Sequence, residues 1–292
     1  MNNANQAKGH GAAVITIIMW GITFISTKIL LSEFNPIEIL FYRIAIGYLV
    51  LLAVYPRRLK GLSVKQELLF LAAGASGVTL YFLLENSALT YTTASNAGVI
   101  VSAAPFFTAL AASRFLGGEK PKPAFFIGFL IAMLGIVLIS FNGSTVLSLN
   151  PIGDLLALLA AMTWAVYSVL AKKISDFGCN TIQTTRRIFF YGLICMLPVL
   201  LPFHFEWGFE RFTRPVNIGN MLFLGLGASA LCFVTWNFAV RVLGAVKTSI
   251  YIYLVPVITV VTSVIVLDEG ITWMSALGTA LTLVGLYLSE RK

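Results

Sequence analysis

A carboxylate inside a strongly apolar stretch is the first residue of this sequence that could do chemistry. Glu85 lies in "LYFLLENSALTYTTASN", residues 80–96, among apolar, hydroxyl and amide side chains. An ionised side chain at mid-depth in a bilayer costs about 2.5–3.5 kcal/mol on insertion scales, so it should face protein or a water-filled cavity. Three roles are open for Glu85: a proton carrier, a counter-ion for a ligand ammonium, or a structural acid that stabilises a kink near "TYTT".

Two neighbours could act together with this carboxylate. Tyr81 lies one helical turn before Glu85 on the same face, and Asn86 follows it directly. Asn237 occupies the position that corresponds to Asn86 in an internal repeat. We expect Tyr81 and the two amides to form hydrogen bonds beside Glu85 in a ligand-binding cavity.

Two stripes of aromatic and hydroxyl side chains recur at helical spacing. The stripes are Trp20, Thr23 and Thr27 in one segment, and Trp164, Tyr167 and Ala171 in another. If a twofold axis relates the stripes, they could line a central cavity whose rings accept apolar or aromatic ligand groups. The alternative is that these aromatic residues are helix-packing contacts or anchors at the membrane interface.

Small residues share one face of the fourth apolar segment, and the repeat relates that face to the ninth. The faces are Ser95, Gly98, Val99 and Ser102, and Val246, Ser249, Ile250 and Tyr253. Close helix packing explains most of them. Tyr253 is large and polar-tipped, so we expect it in the cavity together with Ser102 and with Trp236, which occupies the position corresponding to Glu85.

Charged residues near the segment ends form a second candidate group, either a gate or a structural charge cluster. Lys28 could pair with Glu33, with Glu38 or with a ligand carboxylate, and Arg43 follows Glu38 closely enough to join the same cluster. The repeat-related Glu119 and Glu269 are expected to make helix-end or gate contacts.

The residues that most enzymes and metal sites require are sparse. The three cysteines, Cys179, Cys195 and Cys232, have no disulfide or metal-site spacing, and the histidines are limited to His10 and His204. Common nucleotide-binding and hydrolase motifs are absent from the sequence. We therefore predict no cofactor, no metal and no catalytic site. A scaffold protein that transports nothing, or an enzyme embedded in the membrane, is kept as the alternative to the transporter function that the repeat indicates below.

The composition is that of an integral membrane protein. Hydrophobic residues make up 58% of the 292 residues, charged residues 11%, and the mean hydropathy is +0.89. The net charge of +8 does not indicate nucleic acid, because the basic residues lie at the ends of apolar blocks. The lipid bilayer is the expected environment.

Hydropathy and helix breakers predict an all-α chain with ten spanning helices. The predicted spans are 12–31, 37–55, 67–90, 94–116, 124–141, 152–173, 181–201, 218–242, 245–267 and 272–289. Lys and Arg concentrate on the side of the two termini, whereas the opposite loops hold little beyond Arg211 and Arg214. This bias predicts cytoplasmic N- and C-termini. The expected location is a prokaryotic inner (cytoplasmic) membrane.

The sequence repeats itself. "MWGITFISTK" matches "TWAVYSVLAK" at a shift of 144, and "ENSALTYTTASN" corresponds to "WNFAVRVLGAVK" at a shift of 151. We predict two five-helix halves, residues 1–143 and 144–292. Since five is odd, the second half is inverted in the membrane, which is a transporter architecture with its site where the halves meet. Glycines spaced seven apart in the fifth and tenth spans predict close-packed seams.

The two repeated motifs, together with "GGEKP" and "VLDEG", give this sequence a close resemblance to the EamA-type transporters of the drug/metabolite transporter superfamily. The resemblance covers nearly the whole chain. It implies an inverted five-plus-five arrangement, alternating access and export of small metabolites. Aromatic amino acid exporters of the YddG type are the members to compare first.

We therefore expect a secondary transporter that exports small metabolites, with aromatic or other apolar amino acids as the first candidates. A proton-coupled exporter of hydrophobic or cationic drugs is the alternative on the same fold. The expected partners are a small-molecule substrate, the bilayer and, if transport is coupled, protons. The chain is expected to be a monomer or a weak dimer.

Overall fold

The computed structural model describes residues 3–92, 94–117, 121–141, 150–202, 205–258 and 273–290. The secondary structure of these residues consists of helices joined by loops and turns, with no strand. Ten helical segments follow one another in these ranges. They are α1 (Asn3–Leu30), α2 (Pro36–Val54), α3 (Val64–Tyr91), α4 (Ala94–Val101 and Ala104–Phe115), α5 (Pro123–Phe141), α6 (Pro151–Ser175), α7 (Thr181–Leu200), α8 (Pro215–Leu243), α9 (Ala245–Ile258) and α10 (Trp273–Glu290).

Most of these helices can cross a bilayer. Within the described ranges, α1, α2, α3, α4, α6 and α8 are long and apolar enough to span, and α5, α9 and α10 contain shorter apolar helices. The prediction of an all-helical membrane protein is confirmed, and the ten predicted spans correspond in order to the ten segments. The largest difference is that α1 begins at Asn3 instead of near Ala12.

Local capping explains where several helices begin. The Asn35 side chain accepts a hydrogen bond from the Glu38 amide, and the Glu38 carboxylate accepts one from the Asn35 amide, so α2 starts with a complete capping box. Pro36 follows directly, where its missing N–H costs nothing. Ser63 and Gln66 form the same box at the start of α3.

The repeat is visible in the irregular parts of the backbone. α3 contains a π-helical turn at Ala75–Leu80, and α8 contains one at Phe223–Leu231, so both end at positions related by the 151-residue shift. α4 is interrupted after Val101, and the corresponding part of α9 tightens to a 3-10 turn at Ile250–Tyr253. The two halves therefore share local distortions as well as helix order.

Glycines allow α5 and α10 to pack backbone to backbone. A Cβ added to Gly128 would lie 2.6 Å from the carbonyl oxygen of Gly285, and one added to Gly135 would lie 2.5 Å from that of Gly278. Both distances are too short for any side chain. The predicted close-packed seam is confirmed, and it joins the last helix of one half to the last helix of the other.

Polar side chains at the start of α7 join the halves on the side of the termini. Arg187 forms an ion pair with Glu67 of α3 at 2.6 Å, and the Tyr191 hydroxyl donates to the same carboxylate at 2.7 Å. Arg186 donates to the backbone carbonyl oxygen of Arg57 at 2.7 Å. These partners explain why a membrane helix can keep two consecutive arginines.

Candidate functional site

A cavity lies where the two halves meet. It is bordered by α1, α2, α3 and α4 of the first half and by α6 and α9 of the second, with about 530 Å³ of space between the side chains, counting its open part. Its wall divides into a charged part, an aromatic part and a small apolar part.

Two opposite charges line the cavity without forming an ion pair. Glu85 on α3 is 9% exposed, and its Oε1 accepts a hydrogen bond from the Tyr81 hydroxyl at 2.7 Å. Arg43 on α2 is 1% exposed, and its Nε donates to the Ser229 hydroxyl at 3.0 Å. Within the part of the chain that the structure describes, neither charge has an ionic partner within 4.0 Å.

The guanidinium of Arg43 also rests on an aromatic ring. Its central carbon lies 4.0 Å from the centroid of Phe82, which is a cation–π geometry. The ring and the single hydrogen bond to Ser229 hold the Arg43 side chain while its terminal nitrogens make no hydrogen bond with the described residues. Arg43 can therefore offer a planar pair of donors to a ligand carboxylate or phosphate.

The aromatic part of the wall is a cluster around two tryptophans. The rings of Trp20 on α1 and Trp164 on α6 meet edge to face, with centroids 5.2 Å apart. Tyr81 packs on Trp164 with a centroid distance of 4.7 Å. Trp236 lies behind both tryptophans and is fully buried. The cluster presents a large, rigid apolar surface to the cavity.

The third part of the wall consists of small and aliphatic residues. α4 contributes Gly98, Val101 and Ser102, and α9 contributes Ile252 and Val255. The Ser102 hydroxyl donates to the Gly98 carbonyl of its own helix at 2.7 Å. Because that proton is already used, this part of the wall behaves as a mainly apolar surface.

Two indole N–H groups near the cavity have no acceptor. Trp164 and Trp236 each bury their Nε1 without a hydrogen-bond partner among the described residues, whereas Trp20 donates to the Ala228 carbonyl at 3.0 Å. A buried donor without a partner costs about 1–3 kcal/mol. Such groups are uncommon in folded proteins and often mark places where water or a ligand supplies the partner.

The repeat-related amides do not reach Glu85. Asn86 donates to the Pro36 carbonyl at 3.1 Å, so it joins α3 to the start of α2. Asn237 accepts from the Tyr167 hydroxyl at 2.7 Å and donates to Thr185 at 3.0 Å. The predicted hydrogen bond of Tyr81 to Glu85 is present, but both amides connect helices outside the cavity wall.

The sequence-predicted site residues fall into two groups. The cavity wall contains Trp20, Thr23, Tyr81, Glu85, Ser102 and Trp164. Outside it lie Asn86, Tyr167, Trp236, Asn237 and Tyr253. Tyr253 is fully buried in a separate cluster with Ala109 and Phe125, whereas its neighbour Ile252 lines the cavity.

The predicted charge cluster also divides. Lys28 donates to the Leu89 carbonyl at 2.7 Å and not to an acid. Glu38 accepts from Arg211 at 2.8 Å and from the Glu206 amide at 3.0 Å. Arg43 does not belong to the Glu38 cluster, contrary to the sequence-based expectation, because five residues along a helix place the two side chains on different faces.

Several wall residues were not predicted. Arg43, Phe82 and Val101 line the cavity, and Ser229 positions Arg43. Arg43 and Glu85 are opposite charges deep in neighbouring apolar spans, and that pattern could have indicated a shared site. Glu119 and Glu269, the proposed helix-end contacts, and the side chain of Ser95 lie outside the described residues.

Comparison with known proteins finds a transporter family and relatives that are named as transporters or exporters. The profile of the EamA-like transporter family matches residues 7–141 and again residues 151–291. An uncharacterized transporter of Archaeoglobus fulgidus is 30% identical over 98% of this chain and 99% of its own. A probable terminal-alkyne amino-acid exporter of Streptantibioticus cattleyicolor is 26% identical over 98% of this chain and 94% of its own.

A solved crystal structure supports the fold independently. It superposes with a TM-score of 0.75 over 97% of both chains at 21% sequence identity, which is evidence for the helix arrangement alone. The family profile matches the chain twice, in agreement with the duplicated architecture described above. This chain belongs to the EamA-like transporter family of the drug/metabolite transporter superfamily.

Proposed function

We propose that this transporter exports amino acids with apolar side chains, with the cavity as its substrate site. The observation that carries the proposal is that Arg43 and Glu85 line one cavity without pairing with each other. A cation and a carboxylate kept apart in a low-dielectric site are costly unless a ligand supplies the opposite charges. A zwitterion supplies both.

Each part of the wall suits one part of an amino acid. The Arg43 guanidinium can bind the substrate carboxylate through two parallel hydrogen bonds. Glu85, oriented by Tyr81, is a counter-ion for the substrate ammonium. Trp20 and Trp164 offer their ring surface to an apolar side chain. The indole N–H of Trp164, which has no hydrogen-bond partner among the described residues, can serve the substrate or a bound water.

Arg43 distinguishes this proposal from export of cationic drugs. A lipophilic cation would gain from Glu85 but would be repelled by a buried guanidinium in the same cavity. An amino acid benefits from both groups. The Streptantibioticus cattleyicolor relative, whose name describes a probable terminal-alkyne amino-acid exporter, supports the same substrate class.

Alternating access is the proposed mechanism, and it is supported by the repeat and by the position of the cavity between the proposed halves, residues 1–143 and 144–292. We take the basic side as cytoplasmic, which places both termini in the cytoplasm of a cytoplasmic-membrane protein. Export then moves substrate from the side of Arg187 and Glu67 to the side of Arg211 and Glu38.

Efflux from proteoliposomes tests the substrate class directly. Vesicles are loaded with phenylalanine, with phenethylamine, which lacks the carboxylate, or with hydrocinnamate, which lacks the ammonium. We expect rapid efflux of phenylalanine and slow efflux of the other two. Efflux of phenethylamine at the rate of phenylalanine would favour a cation exporter, and absence of efflux for all three would contradict the proposal.

Variants connect the result to the cavity. Arg43→Gln should reduce the apparent affinity for phenylalanine about tenfold or more, because it removes a charge-assisted interaction with the carboxylate. Arg241→Gln is the matched control, since Arg241 is exposed and donates to the Cys179 backbone outside the cavity. If the two variants changed the affinity for phenylalanine equally, Arg43 would have no specific role in binding the substrate.

A further inference from the structure

Gly98 faces the cavity from α4 with open space in front of it. A Cβ built on Gly98 meets no heavy atom of the described residues within 4 Å, and the residue lines the cavity beside Val101 and Ser102. The helix is regular at this position, so no unusual backbone angle requires glycine there. The absence of a side chain needs another reason.

Several other helical glycines among the described residues are explained by packing. A Cβ on Gly21 would lie 2.7 Å from Ile258, one on Gly74 would lie 2.6 Å from the Gly192 amide, and one on Gly225 would lie 2.6 Å from Ile46. Glycine weakens a helix relative to alanine, and in membrane proteins the close approach of helices offsets that loss. Within the part of the chain that the structure describes, Gly98 has no close neighbour that would offset this loss.

Gly98 is distinguished from comparable glycines by its place in the cavity. Among the described helical glycines, Gly11 and Gly219 also have open space around a built Cβ, but both are exposed and neither lines the cavity. At Gly98 the missing side chain enlarges a cavity whose wall also includes the aromatic rings of Trp164 and Phe82.

We infer that Gly98 is a specificity-determining residue that makes room for a bulky, aromatic substrate side chain. The inference rests on the amino-acid export proposed above and adds a size limit to it. An amino acid with a small side chain would leave the space at Gly98 empty, whereas an aromatic ring would fill it and contact the rings opposite. A side chain at position 98 would occupy that space instead.

A graded series of substitutions tests this inference. Gly98→Ala, Gly98→Val and Gly98→Leu are compared in proteoliposomes for transport of alanine, leucine and tryptophan. We expect the apparent affinity for tryptophan to fall progressively, by about tenfold or more at valine, because one or two methyl groups in a pocket discriminate to that degree. Transport of alanine should stay within about twofold of the wild type.

The control is Gly219→Val, which places the same side chain in an exposed helical position with equal local space. It should leave the selectivity between alanine and tryptophan unchanged. Gly98→Ala adds the smallest side chain to an open space, so it should fold, as its elution profile and melting temperature will show.

The outcomes separate the inference from the proposed function. Wild-type transport of amino acids with an equal loss for alanine and tryptophan across the Gly98 series would overturn the inference alone, since it would indicate a role in helix movement. Unchanged tryptophan transport in Gly98→Leu would also overturn it. Absence of amino-acid transport by the wild type would overturn the proposed function and the inference together.

Discussion

Trp20 and Trp164, which occupy equivalent positions in the two halves of the chain, meet ring to ring with centroids 5.2 Å apart. Two equivalent residues can touch each other only close to the axis that relates the halves. The aromatic wall of the cavity is therefore built at that axis, where inverted-repeat transporters place their substrate. A ligand that contacts both rings contacts both halves, so its binding can influence how they move relative to each other.

The first prediction concerns the tryptophan cluster. Trp236→Ala should lower the free energy of unfolding by about 3–5 kcal/mol, because a fully buried ring is removed from a packed core. Trp20 lines the cavity and is only partly buried, so Trp20→Ala should reduce transport more than it reduces stability. Melting temperatures in detergent measure the stability of each variant, and efflux rates measure its transport. A loss of stability in Trp20→Ala as large as in Trp236→Ala would assign Trp20 to packing.

The second prediction is topological. Cysteines introduced singly at Lys8 and Arg58 should resist an impermeant thiol reagent in intact cells, whereas a cysteine at Glu210 should react. Lys8 precedes the apolar part of α1, Arg58 follows α2, and Glu210 lies in the loop between α7 and α8. The native cysteines are first replaced by serine as a background. If the cysteines at positions 8 and 58 reacted and the cysteine at position 210 did not, the topology would be opposite to the proposed one, and so would the proposed direction of transport.

The third prediction compares two acids in the same region. Glu38 is 1% exposed and accepts hydrogen bonds from Arg211 and from two backbone amides. Glu38→Ala should cost about 3 kcal/mol of stability, since it leaves a mostly buried guanidinium and two amides without their partner.

Glu33 is the matched control for Glu38. It pairs with Arg214, whose side chain is 66% exposed, so Glu33→Ala should cost less than about 1 kcal/mol. Chemical unfolding in one detergent measures both variants. Similar costs for the two substitutions would show that the Glu38 network does not stabilise the loop between α7 and α8.

The sequence predicted the helices well because their determinants are local. Long apolar blocks, the capping box at Asn35 and the glycines of α5 and α10 each act within one segment or its direct counterpart. The repeat then supplied the relation between segments. Trp20 and Trp164 could be placed together for that reason.

The charged part of the site was less predictable because it depends on rotation about helix axes. Arg43 and Glu38 are close in sequence, yet one lines the cavity and the other binds Arg211 of a distant loop. Tyr253 was expected in the cavity, but it lies in a different cluster, and its neighbour Ile252 faces the cavity instead. Such rotations depend on tertiary packing, which one sequence does not display.

The fourth prediction concerns the glycine seam between α5 and α10. A Cβ on Gly285 would lie 2.4 Å from the backbone nitrogen of Ala132, so Gly285→Ala should force the helices apart and cost about 1–3 kcal/mol. Gly219→Ala has no neighbour to displace and should be neutral or slightly stabilising. Thermal unfolding of the purified variants compares them. A stable Gly285→Ala protein would indicate that the two helices pack less closely than described.

The last prediction concerns the carboxylate of Glu85. If Glu85 binds the substrate ammonium, only its ionised form serves, so the apparent affinity for phenylalanine should fall as the pH is lowered. Glu85→Gln keeps the shape and the contact with Tyr81 but cannot ionise, so its affinity should be low and independent of pH.

Binding and efflux are measured between about pH 5.5 and 8.5, a window that covers carboxylates with ordinary and perturbed environments. A second outcome identifies a proton carrier: Glu85→Gln binds phenylalanine normally and loses only the transport driven by a pH gradient. The Arg241→Gln protein, whose substitution lies outside the cavity, provides the reference pH profile. If Glu85→Gln keeps wild-type affinity and wild-type transport across the whole pH window, Glu85 has only a structural role, in which it accepts a hydrogen bond from the Tyr81 hydroxyl.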